Sequence, residues 1–159
     1  MKKIVINKCY GGFSLSPLAL KRWAELQGKM CYFFRRDFNG SNIRHFSITL
    51  KEAQKQSLFI SAFTISNPDE YLSKDKEWYE MTRVEKVEDS KKFDEVYLSF
   101  TEIDRDNTFL IQVVEELGSE KASGRFSKLK IVEIPTGIDW EIEEYDGMET
   151  VGEKHRSWS

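Results

Sequence analysis

The run Lys2-Lys3-Ile4-Val5-Ile6-Asn7-Lys8-Cys9-Tyr10-Gly11-Gly12-Phe13-Ser14-Leu15-Ser16-Pro17 decides how this chain is read. Residues 2 to 8 are rich in β-branched side chains and predict a strand that is buried early. The paired glycines end it in a loop, because they permit backbone angles that other residues resist. Ser16 is a natural helix N-cap, and Pro17 suits the first helical position, where its missing N–H costs nothing. Leu18, Leu20, Trp23, Ala24 and Leu26 carry the helix to Gly28, a left-handed terminator. Met30 to Phe34 reads as the next strand. Strand, loop, helix and strand in that order predict a parallel pair joined by a right-handed crossover.

Outward from this unit the signals alternate between clear and weak. Asn39-Gly40 marks a turn, and Arg44 to Leu50 alternates like an exposed strand. Lys51 to Gln56 is one helical turn or two, and Leu58 to Ile65 is a strand ended by Asn67-Pro68. Asp69 to Lys92 is densely charged, with Trp78 and Tyr79 as its large apolar anchors. Residues 36–92 are therefore read as an insertion or elaboration within a single domain spanning 1–159. Phe93 to Phe100 predicts a strand, and Asp106 the N-cap of a helix from Thr108 to Leu117 that stops at Gly118. Lys128 to Ile134 is a strand stopped by Pro135. Asp139 to Tyr145 alternates, Asp146-Gly147 is a strong hairpin signal, and Met148 to Trp158 returns as its second strand. The expected fold is α/β or α+β: one compact domain with a mixed sheet, a β-loop-α-β N-terminal unit, a second helix and a C-terminal β-hairpin.

Composition narrows the function classes. The chain has 159 residues, 40% of them hydrophobic, enough for a real core and too many for intrinsic disorder. Lys and Arg number 24 against 27 Asp and Glu, a net charge of −3. Bulk nucleic-acid binding, which feeds on a basic surplus, is not expected. The apolar run after Met1 is three residues long, too short for a signal peptide or a membrane span, so a cytoplasmic protein without membrane contact is expected. Cys9 and Cys31 fit free thiols in a reducing compartment. His45 and His155 form no zinc-helix motif, and no C-x-x-C, G-x-S-x-G, P-loop or dinucleotide fingerprint is present. No cofactor and no resident metal is expected.

Three clusters carry residue types a core does not need. In Cys9 to Ser14, a glycine pair ahead of a helix start offers backbone donors to an anion, and Tyr10 and Phe13 can stack on a flat ligand. Capped-turn geometry accounts for the same residues without a ligand. In Asp104-Arg105-Asp106-Asn107, Arg105 is either an ion-pair partner or a fork for phosphate or carboxylate. In the last segment, Glu144, Asp146, Gly147 and Glu149 precede Glu153, His155, Arg156 and Trp158. Glu153 and His155 lie two apart on a strand, the spacing of an acid–base pair, a metal-ligand pair or a plain surface ion pair. Cys9 with His155 is a conceivable thiol–imidazole dyad, although Cys9 ends a buried strand and an inert core thiol is the better reading.

These motifs resemble a family of small uncharacterised proteins encoded mainly by bacteriophages and prophages. The resemblance rests on Asn-x-Cys-Tyr-Gly-Gly-Phe-x-Leu-Ser at Asn7 to Ser16 and on Arg-Asp-x-x-x-Leu-x-x-Val-Val-Glu-Glu-Leu-Gly at Arg105 to Gly118. It rests also on Trp-x-Ile-x-x-Tyr-Asp-Gly-x-Glu followed by Glu-x-His-Arg-x-Trp between Trp140 and Trp158. About the first 30 and last 55 residues match, whereas the middle, Arg35 to Phe93, departs from the family's short form. The resemblance implies a phage setting, a site assembled from both ends, and action on host processes that include immunity.

The resulting expectation is a protein that binds a small anionic or nucleotide-like ligand, possessing a pocket that can sequester a host immune signal. Tyr10, Phe13 or Trp158 would stack on the ligand. Arg105, Arg156 and the backbone of Gly11 and Gly12 would hold its charge, and Asn7, Asp146, Glu149 and His155 would complete the pocket. Two alternatives stay open. One is a metal-dependent or acid–base hydrolase using Glu144, Asp146, Glu149 and Glu153 with His155. The other is an inhibitor that binds a host protein. A homo-oligomer is compatible with each.

Overall fold

The computed structural model describes residues 1–39, 42–55, 60–74 and 76–154. Its elements run β1 (Lys2–Asn7), α1 (Pro17–Leu26), β2 (Tyr32–Asn39), β3 (Asn42–Ile48), α2 (Leu50–Lys55) and β4 (Ile60–Phe63). They continue with α3 (Pro68–Tyr71), a 3-10 turn at Trp78–Glu80, α4 (Arg83–Val96), α5 (Thr108–Ala122), β5 (Leu129–Ile134), β6 (Trp140–Tyr145) and β7 (Met148–Glu153). Helices and strands are mixed throughout, and the C-terminal hairpin is formed by β6 and β7. The elements group into two compact units, residues 1–27 with 100–159 and residues 28–99. The 36–92 segment lies inside the second.

In the first unit, β1 pairs antiparallel with β5, from Lys2 opposite Ile134 to Asn7 opposite Leu129. The expected parallel pairing of β1 with the strand after α1 does not occur: β2 sits at the centre of a separate antiparallel sheet, in the order β3-β2-β4. The reason is that a strand–loop–helix–strand pattern is local, while the pairing partner is set by what buries the strand. Ile4, Val5, Ile6 and Asn7 are all buried, and they find Leu129 and the apolar face of α5, with Leu110, Val113 and Val114, from the far end of the chain. Burying each of the three apolar side chains contributes about 1.5–3 kcal/mol, enough to override local order. Helix α1 packs on α5, where Arg22 grips Glu116 through Nε (2.7 Å) and Nη2 (3.1 Å).

The helix ends follow sequence chemistry, with one shift. Ser16 Oγ accepts the Ala19 N–H at 3.1 Å, and Gly28 follows the helix at φ +70°. At α5 the cap is Asn107, whose Oδ1 accepts the Leu110 N–H at 3.0 Å, and not Asp106. Asp106 is drawn instead to Lys2, at 2.7 Å. Gly118, at φ +75° and ψ +162°, breaks α5 where its end was expected. One further turn follows, and its hydroxyls sew it to β5: Ser119 donates to the Leu129 carbonyl (2.5 Å) and Ser123 accepts the Leu129 N–H (2.8 Å).

In the second unit, Phe34 and Phe63 of the sheet pack with Val96 of α4. His45 stands edge-on to both rings and is anchored by Asp69 at 2.6 Å. The expected strand from Phe93 to Phe100 is not one. Thr82 and Glu85 form a reciprocal capping box that launches α4, and the helix runs through Val96. Phe93, Val96 and Tyr97 stand at helical spacing, which brings all three onto Phe63. Tyr97 then makes a single bridge to Phe63. β2 and β3 pair antiparallel up to Asn39 opposite Asn42; Gly40 of the expected Asn39-Gly40 turn lies outside the described residues, as does Leu58 ahead of β4. No helix among the described residues is long and apolar enough to cross a membrane.

Candidate functional site

Asn7 ends β1 completely buried, and every polar group of its side chain is occupied. Its Nδ2 donates to the carbonyls of Cys9 (2.5 Å) and Gly147 (2.6 Å), while Oδ1 accepts the Lys128 N–H (2.8 Å). Its backbone N–H donates to Glu149 Oε2 at 2.8 Å. One amide thus ties together the first loop, the start of β5 and the hairpin. The hairpin turn suits this role: Asp146 (φ +49°) and Gly147 (φ +84°) give the doubly left-handed geometry of a tight two-residue turn. A Cβ at Gly147 would lie 2.5 Å from the Gly12 nitrogen and 2.6 Å from the Tyr10 carbonyl oxygen, so only glycine allows the two turns to touch.

Glu149 is 2% exposed, and its second oxygen accepts Arg105 Nη2 at 2.7 Å. The Arg105 guanidinium lies 3.3 Å from the Phe13 ring centroid. Its Nη1 is buried without a partner among the described residues. Burial holds the guanidinium below its ordinary pKa, against the opposing pull of Glu149 and Glu144, yet an arginine stays charged at any working pH. The arrangement is a partly desolvated ion pair roofed by an aromatic ring.

The structure therefore brings Asn7, Gly12, Phe13, Arg105 and Glu149 together, but it turns them toward one another. Gly11 is packed so closely on Phe126 that a Cβ would overlap its carbonyl. The glycine pair does not open α1, since Leu15 first bridges to Ser123 and Ser16 caps the helix. Tyr10 stands 61% exposed, and Asp146 is exposed at the hairpin tip. Glu144 accepts the Gly147 N–H at 3.2 Å, and Glu153 ends β7 opposite Trp140. Cys9 and Cys31 are both part-buried. His155, Arg156 and Trp158 lie outside the described residues.

A different set of side chains surrounds open space. Lys8, Lys128 and Lys130 line a cavity of about 350 Å³ whose other walls are Val114, Leu129, Ile131 and Ser119. Elsewhere in the same unit Lys2, Lys3 and Arg22 are each tied to a carboxylate. The three cavity lysines have no carboxylate partner among the described residues. Leu129 and Val114 lie almost fully buried beneath the cavity, so the accessible apolar wall is Ile131 and the aliphatic stems of the lysines. Sequence reasoning passed over this set because its members come from the ends of two strands and the middle of a helix. The available signal was Lys128-Leu129-Lys130-Ile131, an alternation with no acidic residue inside it.

No family model matches the sequence, and neither a curated protein nor a solved structure matches it significantly.

Proposed function

We propose that the chain is a phage-type protein that binds a small anionic ligand in the cytoplasm of its host cell, with the lysine-lined cavity as the seat. One observation supports this reading above the rest: three lysine side chains line a single cavity and none is paired with a carboxylate among the described residues. Uncompensated cations over a low-dielectric floor concentrate anions and favour a partner with more than one negative charge. The phage setting, and with it a role in sequestering a host immune signal, rests on the resemblance of the end motifs. Binding is preferred to hydrolysis because Glu149, the most buried of the candidate carboxylates, has both oxygens engaged by Asn7 and Arg105.

Native mass spectrometry of the purified chain, beside a Lys128→Glu/Lys130→Glu variant, tests the proposal. An anionic small molecule should accompany the parent chain and be missing from the variant. The same adduct on both proteins, or on neither, removes the support for this seat.

A further inference from the structure

Resting on that reading, we infer that the ligand is an anion with an aliphatic body, of the fatty-acyl kind, and not a nucleobase-bearing one. The cavity walls carry the argument. A nucleobase needs an aromatic platform for its face and hydrogen-bonding groups for its edge. Val114, Leu129 and Ile131 supply neither. The one hydroxyl in the lining, on Ser119, is spent on the Leu129 carbonyl at 2.5 Å. Phe13, the ring a base would want, is already covered by Arg105 at 3.3 Å and is not part of this cavity. A base placed here would bury its polar edge against hydrocarbon, at the cost of every hydrogen bond it made with water. An alkyl chain has no such hydrogen bonds to lose and covers the apolar wall.

The head group has a directed donor as well as charge. In the antiparallel ladder, Asn7 opposite Leu129 and Val5 opposite Ile131 are pairs whose backbone groups point away from each other. The partners show it: Val5 donates its N–H to the Arg105 carbonyl at 2.8 Å, and the Leu129 N–H goes to Ser123. The Ile131 N–H points outward by the same alternation, on the edge of β5 away from β1. It has no partner among the described residues, and Ile131 is a cavity wall. A carboxylate or phosphate head seated there meets that N–H in a cavity that Lys8, Lys128 and Lys130 also line. Its tail then lies along Ile131 and the lysine stems.

Titration calorimetry of the full chain with octanoate, 1-octanol and AMP separates the possibilities. Octanoate should bind about tenfold or more tightly than either 1-octanol, which lacks the charge, or AMP, which lacks the tail. Lys128→Glu/Lys130→Glu, two exposed substitutions, should weaken octanoate by at least about tenfold with the circular dichroism spectrum unchanged. AMP binding as tightly as octanoate, with loss of both in the variant, overturns the aliphatic assignment and leaves the anion seat standing. Octanol equal to octanoate overturns it too, because the cations would then play no part. Failure of both anions to bind overturns the anion seat itself.

Discussion

The backbone N–H of Asn7 donates to the carboxylate of Glu149 at 2.8 Å across 142 residues of sequence. That bond joins the end of β1 to β7, and the same carboxylate holds Arg105 at 2.7 Å. Replacing Glu149 by Gln removes the charge that compensates a guanidinium with only 21% of its side chain exposed. The loss should be about 2–3 kcal/mol, toward the low end for a broken buried pair because Arg105 is not fully desolvated. Glu144→Gln, at an exposed position, should stay within about 0.5 kcal/mol. Urea unfolding of both variants checks the contrast.

Gly147 and Gly137 share a left-handed backbone, φ +84° and φ +90°, but not their surroundings. A Cβ at Gly137 meets nothing within 4 Å, whereas one at Gly147 strikes backbone atoms of Gly12 and Tyr10. Gly137→Ala should therefore cost about 1 kcal/mol of conformational strain. Gly147→Ala should cost roughly 3 kcal/mol or more, because two backbone segments must separate. Thermal melts of the two variants give the ranking.

Acid should weaken the fold through surface carboxylates held in hydrogen bonds. Glu116, hydrogen-bonded by Arg22 and Gln112, has its pKa lowered from 4.5 to about 2. Glu85, bonded by Lys76 and by Thr82, is lowered likewise to about 2. A folded-state value below the unfolded one means that the contribution is present above pH 4.5 and is lost as pH falls toward 2. The urea midpoint should drop across that window, and Glu116→Gln should drop less. Because both carboxylates are exposed, roughly 1 M salt should shrink the difference between parent and variant. Equal acid sensitivity of the two proteins would contradict the assignment.

Among the described residues the side chains of Lys128 and Lys130 make no ion pair, so they hold none of these residues in place. Lys128→Glu/Lys130→Glu should change stability by no more than about 1 kcal/mol, as surface substitutions away from structural features do. Chemical denaturation decides. A large loss would make these lysines structural and weaken the case that they serve a ligand.

Much of the local fold was legible in the residues. Ser16-Pro17, Gly28, Gly118 and Asp146-Gly147 each act through their own backbone chemistry, and each does what its type dictates. The pairing of β1 was not legible, because a strand's partner is chosen by burial against residues more than a hundred positions away. The Phe93–Val96 turn of α4 was legible and missed: Thr82-x-x-Glu85 announces a helix, and the apolar spacing from Phe93 to Tyr97 is helical. At the candidate site, residue types were informative but their use was not. Asn7, Arg105 and Glu149 look the same in a sequence whether they face a ligand or each other. Burial and hydrogen-bond direction decide, and here they turn inward, while lysines with unremarkable neighbours are left around open space.

The most direct test of that division is a nuclear magnetic resonance titration of the isotope-labelled chain with octanoate and, separately, with AMP. Amide shifts centred on Lys8, Lys128, Lys130 and Ile131, with Tyr10 to Phe13 and Asp146 undisturbed, are the expected result for whichever anion binds. Shifts centred on the Tyr10–Phe13 loop and the Asp146 turn would contradict it and return the ligand to the interlocked cluster.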